Sequence, residues 1–152
     1  MHSDFTRRIS YDTFLRKYTM TKSAEYFLGY YTHLIADDLW LTGFYLPWLK
    51  NRMENDKQVF TRYHNDFRLL NGKLLRYYRM GLELTDGLEH VFIPDLDEVP
   101  AKNVKAFLPH LKQDMENSQK DTDEPLQVFT LEQIIGYIET SVEKGIFYVN
   151  KG

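Results

Sequence analysis

The chain has 152 residues, of which 43% are hydrophobic and 27% are charged, a composition typical of a globular domain with its own core. The sequence contains no cysteine, so disulfides, cysteine nucleophiles and thiolate metal sites are excluded, and a reducing, cytoplasmic location is expected. The net charge is -3, and the aromatic content of 15% favours large side chains packed between helices. We expect a single domain that spans residues 1–152.

The first part of the chain predicts one short helix. Residues 1–9 are polar, and Ser10 is a suitable N-cap for a helix over residues 11–18. This region is charged and has no apolar centre, so it does not have the pattern of a secretory signal.

Residues 23–49 form the longest apolar stretch and predict a central helix. Aromatic residues recur there every three or four positions, so they share faces of the helix, and both sides of the helix are apolar. A helix of this kind is normally surrounded by protein. Asp37, Asp38 and Pro47 interrupt the stretch, which argues against a transmembrane helix. Gly43 and Pro47 predict that the helix bends, pauses or ends.

His33 and Asp37 are the residues of the central helix that indicate chemistry. They are four positions apart, so their side chains project from one face with Cβ atoms roughly 5 to 6 Å apart. One interpretation is a buried hydrogen bond that joins two helices. The other is a pair of zinc ligands, since zinc accepts nitrogen and oxygen donors. Asp38 is expected either to orient a metal-bound His33 or to pair with Arg7 or Arg8.

The rest of the chain predicts three more helices and no β-hairpin. The helix over residues 57–80 is weakened at Asn71 and Gly72, and residues 81–97 are expected to form a loop with at most a short helix. The acidic cluster of Asp95, Asp97 and Glu98 suits capping of the next helix, which is expected to start near residue 100 or 102 and to run to about residue 116. Residues 117–125 are polar and expected to be mobile. Thr130 and Gln133 form a capping box for the last helix, and Gly145 is its expected C-cap. The predicted core faces are Phe60, Tyr63, Phe67, Leu70, Leu74 and Tyr77 in the first of these helices, and Ile134, Ile135, Ile138 and Val142 in the last.

These elements predict an all-α fold, a bundle of about five helices around the central helix. Charge is distributed unevenly along it: residues 50–80 hold eight Lys or Arg and three acids, whereas residues 81–124 hold eleven acids and four Lys. Two solvated faces account for this asymmetry, and an anion-binding surface is the alternative. The aromatic residues within the basic helix follow the core period, so specific nucleic-acid recognition is not expected.

His64 and Asp66 form a weaker candidate site in the third helix. Asp66 follows Arg62 by four residues, so a surface ion pair explains it without any chemistry. His64 borders the predicted aromatic face and is the candidate that reaches inward. The sequence has no phosphate-binding glycine loop, no G-x-S-x-G elbow and no H-E-x-x-H motif.

The segment FLGYYTHLIADDLW at residues 27–40 resembles the bacterial zinc-dependent phospholipase C-like family, as do SYDTFL at residues 10–15 and YHNDFRLLN at residues 63–71. This family is an all-α group of metal-dependent hydrolases related in fold to phospholipase C and P1-type nucleases. The resemblance covers most of the chain, and the chain is similar to the small Bacillus-type members of the family. It implies that His33 and Asp37 are metal ligands, with Asp38 beside them.

This chain departs from the family at its beginning. Members begin with a further segment that supplies a His, an Asp and another His to the metal centre, whereas this chain starts beyond most of that segment. His2 is the candidate remnant. The resemblance therefore implies a metal site that is vestigial, completed across a homodimer, or, if the chain is a fragment, only partly present in it.

The leading hypothesis is a zinc-dependent hydrolase of ester or phosphodiester bonds. A metal held by His33 and Asp37 would activate water, and His64 or Asp66 would act as acid or base. The alternative is a non-catalytic helical interaction protein that self-associates through apolar surface such as Trp40. A third hypothesis, an anion-binding or membrane-peripheral module, depends on the basic helix.

Overall fold

The computed structural model describes the backbone of residues 24–151, and the short helix predicted over residues 11–18 lies outside this range. The described residues form five α-helices and no strand, which confirms the predicted all-α class. None of these helices is long and apolar enough to cross a membrane. The helices are α1 (Ala24–Trp40), α2 (Lys50–Asn55), α3 (Lys57–Tyr77), α4 (Ala101–Asn117) and α5 (Leu131–Lys151).

Backbone contacts divide the described residues into two compact units, and each unit has its own packing. Unit 1 contains residues 24–60 and 132–151, whereas unit 2 contains residues 61–131. Unit 1 therefore includes α1, α2 and nearly all of α5, and unit 2 includes α4 and most of α3. The expectation of one domain over residues 1–152 stays a prediction.

Between α1 and α2 the chain forms a π-helix, Leu41–Leu49. In an α-helix the ring of Pro47 would clash with the carbonyl group of Gly43, and the wider π-turn relieves this clash. The backbone N–H of Lys50 donates to the carbonyl oxygen of Tyr45, five residues earlier, which is the spacing of a π-turn. The predicted irregularity is therefore a change of helix type, and the helix does not end there.

One side of α1 is buried. Phe27, Tyr31 and Ile35 recur at steps of four and are buried in the core of unit 1. His33 projects from a different side and is exposed. The predicted burial of the central helix therefore holds for one of its sides.

α1 and α5 pack against each other as an antiparallel pair. The hydroxyl group of Tyr137 donates a hydrogen bond to the backbone carbonyl of Ala36 at 2.8 Å. Further along the pair, Gly145 lies so close to Thr32 that a Cβ atom added there would meet its methyl carbon at 3.4 Å. Since the contacts advance along α1 as they go back along α5, the two helices run in opposite directions.

The predicted core face of α3 is displaced in the structure. Phe60, Phe67 and Tyr77 were expected to be core residues, but each is more than a third exposed. The buried positions are Val59, Asp66, Leu69, Leu70 and Gly72, so Leu70 of the predicted face is confirmed. Periodicity alone points to the wrong neighbouring positions, because a carboxylate occupies the centre of the buried face, where a polar residue is normally excluded.

Gly72 is required where the sequence predicts a weak point in α3. It is buried, and a Cβ atom added there would overlap the backbone carbonyl oxygen of Ser118 and lie 2.9 Å from the methyl carbon of Thr122. The absence of a side chain thus lets residues 118–122 pack directly on the helix. The cost of glycine in a helix, about 1 kcal/mol, is offset by this close approach.

The acidic cluster before α4 caps that helix, as predicted. The backbone N–H of Ala101, the first residue of α4, donates to a carboxylate oxygen of Asp95 at 2.7 Å. Two short 3-10 turns, Leu82–Thr85 and Leu88–His90, occupy the loop before the cluster. Gly87 adopts a φ of 77° between these two turns, a conformation that glycine adopts without strain.

The C-terminal cap predicted for the last helix is wrong. α5 begins at Leu131, directly after Thr130, but it continues through Gly145 to Lys151. Gly145 is an interior helix residue that allows close contact with Thr32. Glycine is favoured at a helix end because it adopts positive φ without strain, and it is favoured at a helix contact because it has no side chain. The sequence alone does not distinguish these two roles.

Replacement by alanine should have opposite effects on stability at Gly72 and at Gly29. Gly72→Ala should lower the free energy of unfolding by about 1 to 3 kcal/mol, because the new Cβ atom overlaps a backbone carbonyl. Gly29→Ala should raise it by about 0.5 to 1 kcal/mol, because nothing lies within 4 Å of that position in α1. Urea denaturation of both variants measures this difference, and stabilisation by Gly72→Ala would contradict the packing described here.

Candidate functional site

His33 and Asp37 are brought together by α1. The Nε2 atom of His33 lies 3.2 Å from the Oδ2 atom of Asp37, and the side chains are 58% and 48% exposed. The helical spacing of four residues therefore produces the predicted contact. The interpretation as a buried hydrogen bond that joins two helices is wrong, because both partners lie on one helix face that is open to solvent.

The distance between these two atoms is compatible with a shared metal ion as well as with a hydrogen bond. Two donors that each lie about 2.0 to 2.1 Å from a tetrahedral zinc ion are about 3.3 Å apart. A zinc site in a protein needs at least three protein ligands. Within residues 25–150, no group of three or more His, Asp or Glu side chains is arranged to hold a metal ion. The described residues thus supply two of the ligands that the prediction requires.

Asp38 turns away from His33. Its Oδ2 atom lies 4.0 Å from the Nζ atom of Lys144 in α5. This is a long ion pair between partly exposed side chains, so it contributes little stability. The expected partners of Asp38, Arg7 and Arg8, lie outside the described residues, as does His2.

Asp66 is buried completely, with an exposed fraction of 0%. Its Oδ1 atom accepts a hydrogen bond from the backbone N–H of Gln127 at 2.8 Å. Its Oδ2 atom accepts from Val128 at 2.7 Å and from Phe129 at 3.0 Å. Three backbone donors therefore compensate for burying this carboxylate. The explanation by a surface ion pair with Arg62 is wrong, because Asp66 is not at the surface.

His64 lies two residues before Asp66 but is exposed. Its ring packs edge-on against that of Tyr63, with centroids 5.3 Å apart. The expected inward orientation of His64 is therefore not found. Since both oxygens of Asp66 are engaged by the backbone, the two residues do not form an acid and base pair aimed at a common substrate position in unit 2.

The basic residues of α3 and the acidic residues after α4 pair within unit 2. We call residues 121–124 the acidic segment. The side chains of Arg68, Lys73 and Arg76 all contact this segment, which the sequence predicts to be mobile. The contacts are Arg68 with Asp121 at 3.4 Å and Glu124 at 3.3 Å, Arg76 with Asp123 at 3.0 Å and with Thr122, and the Lys73 ammonium with the Thr122 carbonyl at 2.8 Å. Part of the charge asymmetry of the sequence is thus neutralised internally, which weakens the case for an anion-binding surface.

A groove of about 580 Å³ follows the contact between α1 and α5. This volume lies within the range of about 300 to 1,000 Å³ that is typical of ligand sites. Most of the residues that line the groove are small or apolar. They are Gly29, Thr32, His33 and Ala36 of α1, and Tyr137, Ile138, Ser141, Val142, Gly145, Ile146, Val149 and Asn150 of α5.

The hydroxyl groups along this groove bond to nearby backbone. Thr32 donates to the carbonyl of Gly29 at 2.8 Å, and Ser141 donates to that of Tyr137 at 2.7 Å. Tyr137 itself donates to Ala36. Burial, together with the nearby carboxylate of Asp37, raises the pKa of Tyr137 above its usual value of 10.0. Tyr137 is therefore a neutral donor at physiological pH. Since the three hydroxyl groups already have backbone partners, the surface that the groove offers to a ligand is mostly apolar.

The sequence contained part of the signal for this groove. Ile138 and Val142 were expected in the core, but Val142 is 55% exposed, and Ile146, four residues further on, is 58% exposed. The apolar stripe of α5 therefore extends beyond the surface that unit 1 covers. Periodicity indicates an apolar face, but it does not tell whether this face is buried or open.

Comparison with models of protein families, with curated proteins and with solved structures finds no match for this chain. The resemblance to the phospholipase C-like family therefore stays a prediction. Among the described residues, the features that point to function are the His33 and Asp37 pair and the groove beside it.

The buried carboxylate gives a testable prediction for stability. Asp66→Ala should lower the free energy of unfolding by about 3 kcal/mol or more, because three backbone N–H groups, one buried and two partly buried, lose a charged acceptor. Asp56→Ala is the matched control, since that side chain accepts one exposed bond from Gln58, at a cost of about 1 kcal/mol. Equal losses in the two variants, measured by urea denaturation, would contradict a special role for Asp66.

Proposed function

We propose that this chain is a helical interaction protein and that the groove between α1 and α5 binds the apolar face of another polypeptide helix. The observation that carries this proposal is the open apolar groove, whose hydroxyl groups already have backbone partners. A helix that lays its apolar face into a hydrophobic groove is a recurrent mode of peptide recognition.

The shape of the groove favours a helix over a small molecule. Its lining on α5 extends from Tyr137 to Asn150, which corresponds to about 20 Å at 1.5 Å per residue. Small residues, among them Gly29 and Ala36, leave space for the backbone of a partner to approach closely. Nothing lies within 4 Å of a Cβ atom added at Gly29, so the groove is open above this residue.

The exposed apolar side chains also favour a partner. Val142 and Ile146 are each more than half exposed although they continue the core stripe of α5. Covering them with a partner helix would contribute roughly 25 cal/mol for each Å² of apolar surface removed from water. Ile138 and Val149 lie one turn away on either side and extend the same apolar contact.

A groove-filling variant tests this proposal. Gly29→Leu places a side chain in the open part of the groove, at a position where the new Cβ atom has no neighbour within 4 Å, and it should weaken binding of the uncharged fluorophore N-phenyl-1-naphthylamine about tenfold. Gly136→Leu is the matched control, because Gly136 is also an exposed helical glycine with nothing near its Cβ position but does not line the groove.

Both leucine variants are expected to be at least as stable as the native chain, since leucine has a higher helix propensity than glycine. A loss of fluorophore binding in Gly29→Leu alone would support the groove as the binding surface. The proposal is overturned if the native chain does not bind the fluorophore, or if the two variants lose binding equally.

A second proposal is metal-dependent hydrolysis, and the observation that favours it is the separation of 3.2 Å between His33 Nε2 and Asp37 Oδ2. These atoms would hold zinc or another divalent transition metal. Such an ion lowers the pKa of bound water and polarises an ester or phosphodiester. The substrate class comes from the resemblance alone. Of the residues predicted as acid or base, His64 stays a prediction, and Asp66 is left out because its oxygens bind the backbone.

Elemental analysis tests the second proposal. Protein purified without chelators or metal-affinity resin should contain close to one zinc or other transition metal per chain, and both His33→Ala and Asp37→Ala should lose it. His90→Ala is the control, because His90 is exposed and lies 3.7 Å from the carboxylate of its neighbour Glu89. Native protein that contains no metal and takes up none on titration would rule out this proposal.

A further inference from the structure

The side chains of α5 form three adjacent stripes at the groove. Tyr137 and Gly145 belong to the stripe that contacts α1, through Ala36 and Thr32. Ile138, Val142 and Ile146 form the wall of the groove. They follow Tyr137, Ser141 and Gly145 by one residue each, so they lie about 100° further around the helix. The next stripe, another 100° around, is therefore the outer rim of the groove.

The first two positions of this outer rim are acidic, and the exposed Phe147 follows them. It begins with Glu139 and Glu143, one turn apart, and both side chains are exposed. On the other side of the groove, Asp37 continues the stripe of Gly29 and His33 along α1 and is 48% exposed. Carboxylates therefore lie on both flanks of the apolar surface.

The nearest cation of α5 does not neutralise the rim. Lys144 follows Glu143 by one residue, so it projects about 100° further around the helix, away from the groove wall. Its ammonium group lies 4.0 Å from Asp38 and 5.7 Å from the ring centroid of Tyr148. Among the residues of unit 1 that the structure describes, none forms an ion pair with Glu139 or Glu143, so cations of a partner would complement the rim.

We propose that the partner of the groove is a basic amphipathic helix, with Lys or Arg on both flanks of its apolar face. This inference rests on the proposed function, because it specifies the charge pattern of the helix that the groove would bind. The apolar face supplies the contact area, and the flanking cations pair with the exposed carboxylates of the rims and direct the helix into the groove. Since these carboxylates are exposed, the electrostatic contribution should fall as the salt concentration rises.

Two synthetic peptides test the inference. They share one apolar face of leucines at helical spacing, and they differ only in the flanking positions, which are Lys in one peptide and Glu in the other. Binding to the full chain is measured by fluorescence anisotropy at low and high salt, together with displacement of N-phenyl-1-naphthylamine from the groove. We expect the Lys peptide to bind at least about tenfold more tightly at low salt, and this preference to shrink at high salt.

Charge reversal at the rim tests whether Glu139 and Glu143 cause the preference for the Lys peptide. Glu139→Lys combined with Glu143→Lys should remove or reverse the preference for the Lys peptide. The control combines Asp114→Lys with Glu116→Lys, two exposed acids of α4 that do not line the groove. Both double variants change the net charge by the same amount, so an effect of overall charge would appear in both and would overturn the inference.

The experiment distinguishes failure of the charge inference from failure of the proposed helix-binding function. If both peptides displace the fluorophore with equal affinity, the groove binds helices but the inference about charge is overturned. If neither peptide displaces a fluorophore that the native chain does bind, the proposed helix-binding function is overturned. Preferential binding of the Lys peptide that is lost only in the rim variant supports the inference.

Discussion

The close contact between α1 and α5 determines what unit 1 presents to solvent. At one end of the contact a tyrosine hydroxyl reaches across to a backbone carbonyl, and further along a glycine lets the helices approach within van der Waals distance. A larger residue at Gly145 would widen the separation and change the depth of the groove. The groove, its apolar wall and its acidic rim all follow from the rotational position in which Tyr137 and Gly145 hold α5 against α1.

Unit 2 depends on a different constraint, the burial of a charge. A carboxylate inside a helical protein is costly unless donors surround it, and Asp66 obtains three from a segment that belongs to no helix. The same interaction therefore satisfies the carboxylate and fixes the backbone of residues 127–129. Gly72 lets residues 118–122 pack on α3 in a similar way. Irregular chain is thus held by α3 at two places, and the exposed ion pairs of the acidic segment add to this only weakly.

The sequence predicted much of the fold because helical periodicity and capping are local signals. The positions of the long helices, the change near Pro47 and the capping role of the acidic cluster all followed from nearby residues. Several of the errors, those at Asp66, Gly72 and Gly145, arise where the partner lies far away in the chain. A polar residue at a core position and a glycine inside a helix look unfavourable locally, and only the tertiary structure shows what compensates for them. For the same reason the His33 and Asp37 pair could be predicted from its spacing in one helix. The groove beside it could not be predicted, because it depends on where α5 packs against α1.

The π-helix between α1 and α2 has a consequence for how this region tolerates insertions and deletions. Along Leu41–Leu49 the hydrogen bonds span one residue more than in an α-helix, so the segment shifts the rotational phase between the residues before and after it. Trp40 and Phe44 stack with centroids 4.6 Å apart, and Leu49 is fully buried at the end of the segment. Because an α-turn contains one residue fewer than a π-turn, a one-residue deletion here can be taken up by conversion to α-helical turns, which leaves Leu49 and the residues after it on the same side of the helix. The π-turns therefore absorb a change in chain length that an α-helix would pass on to every residue after it.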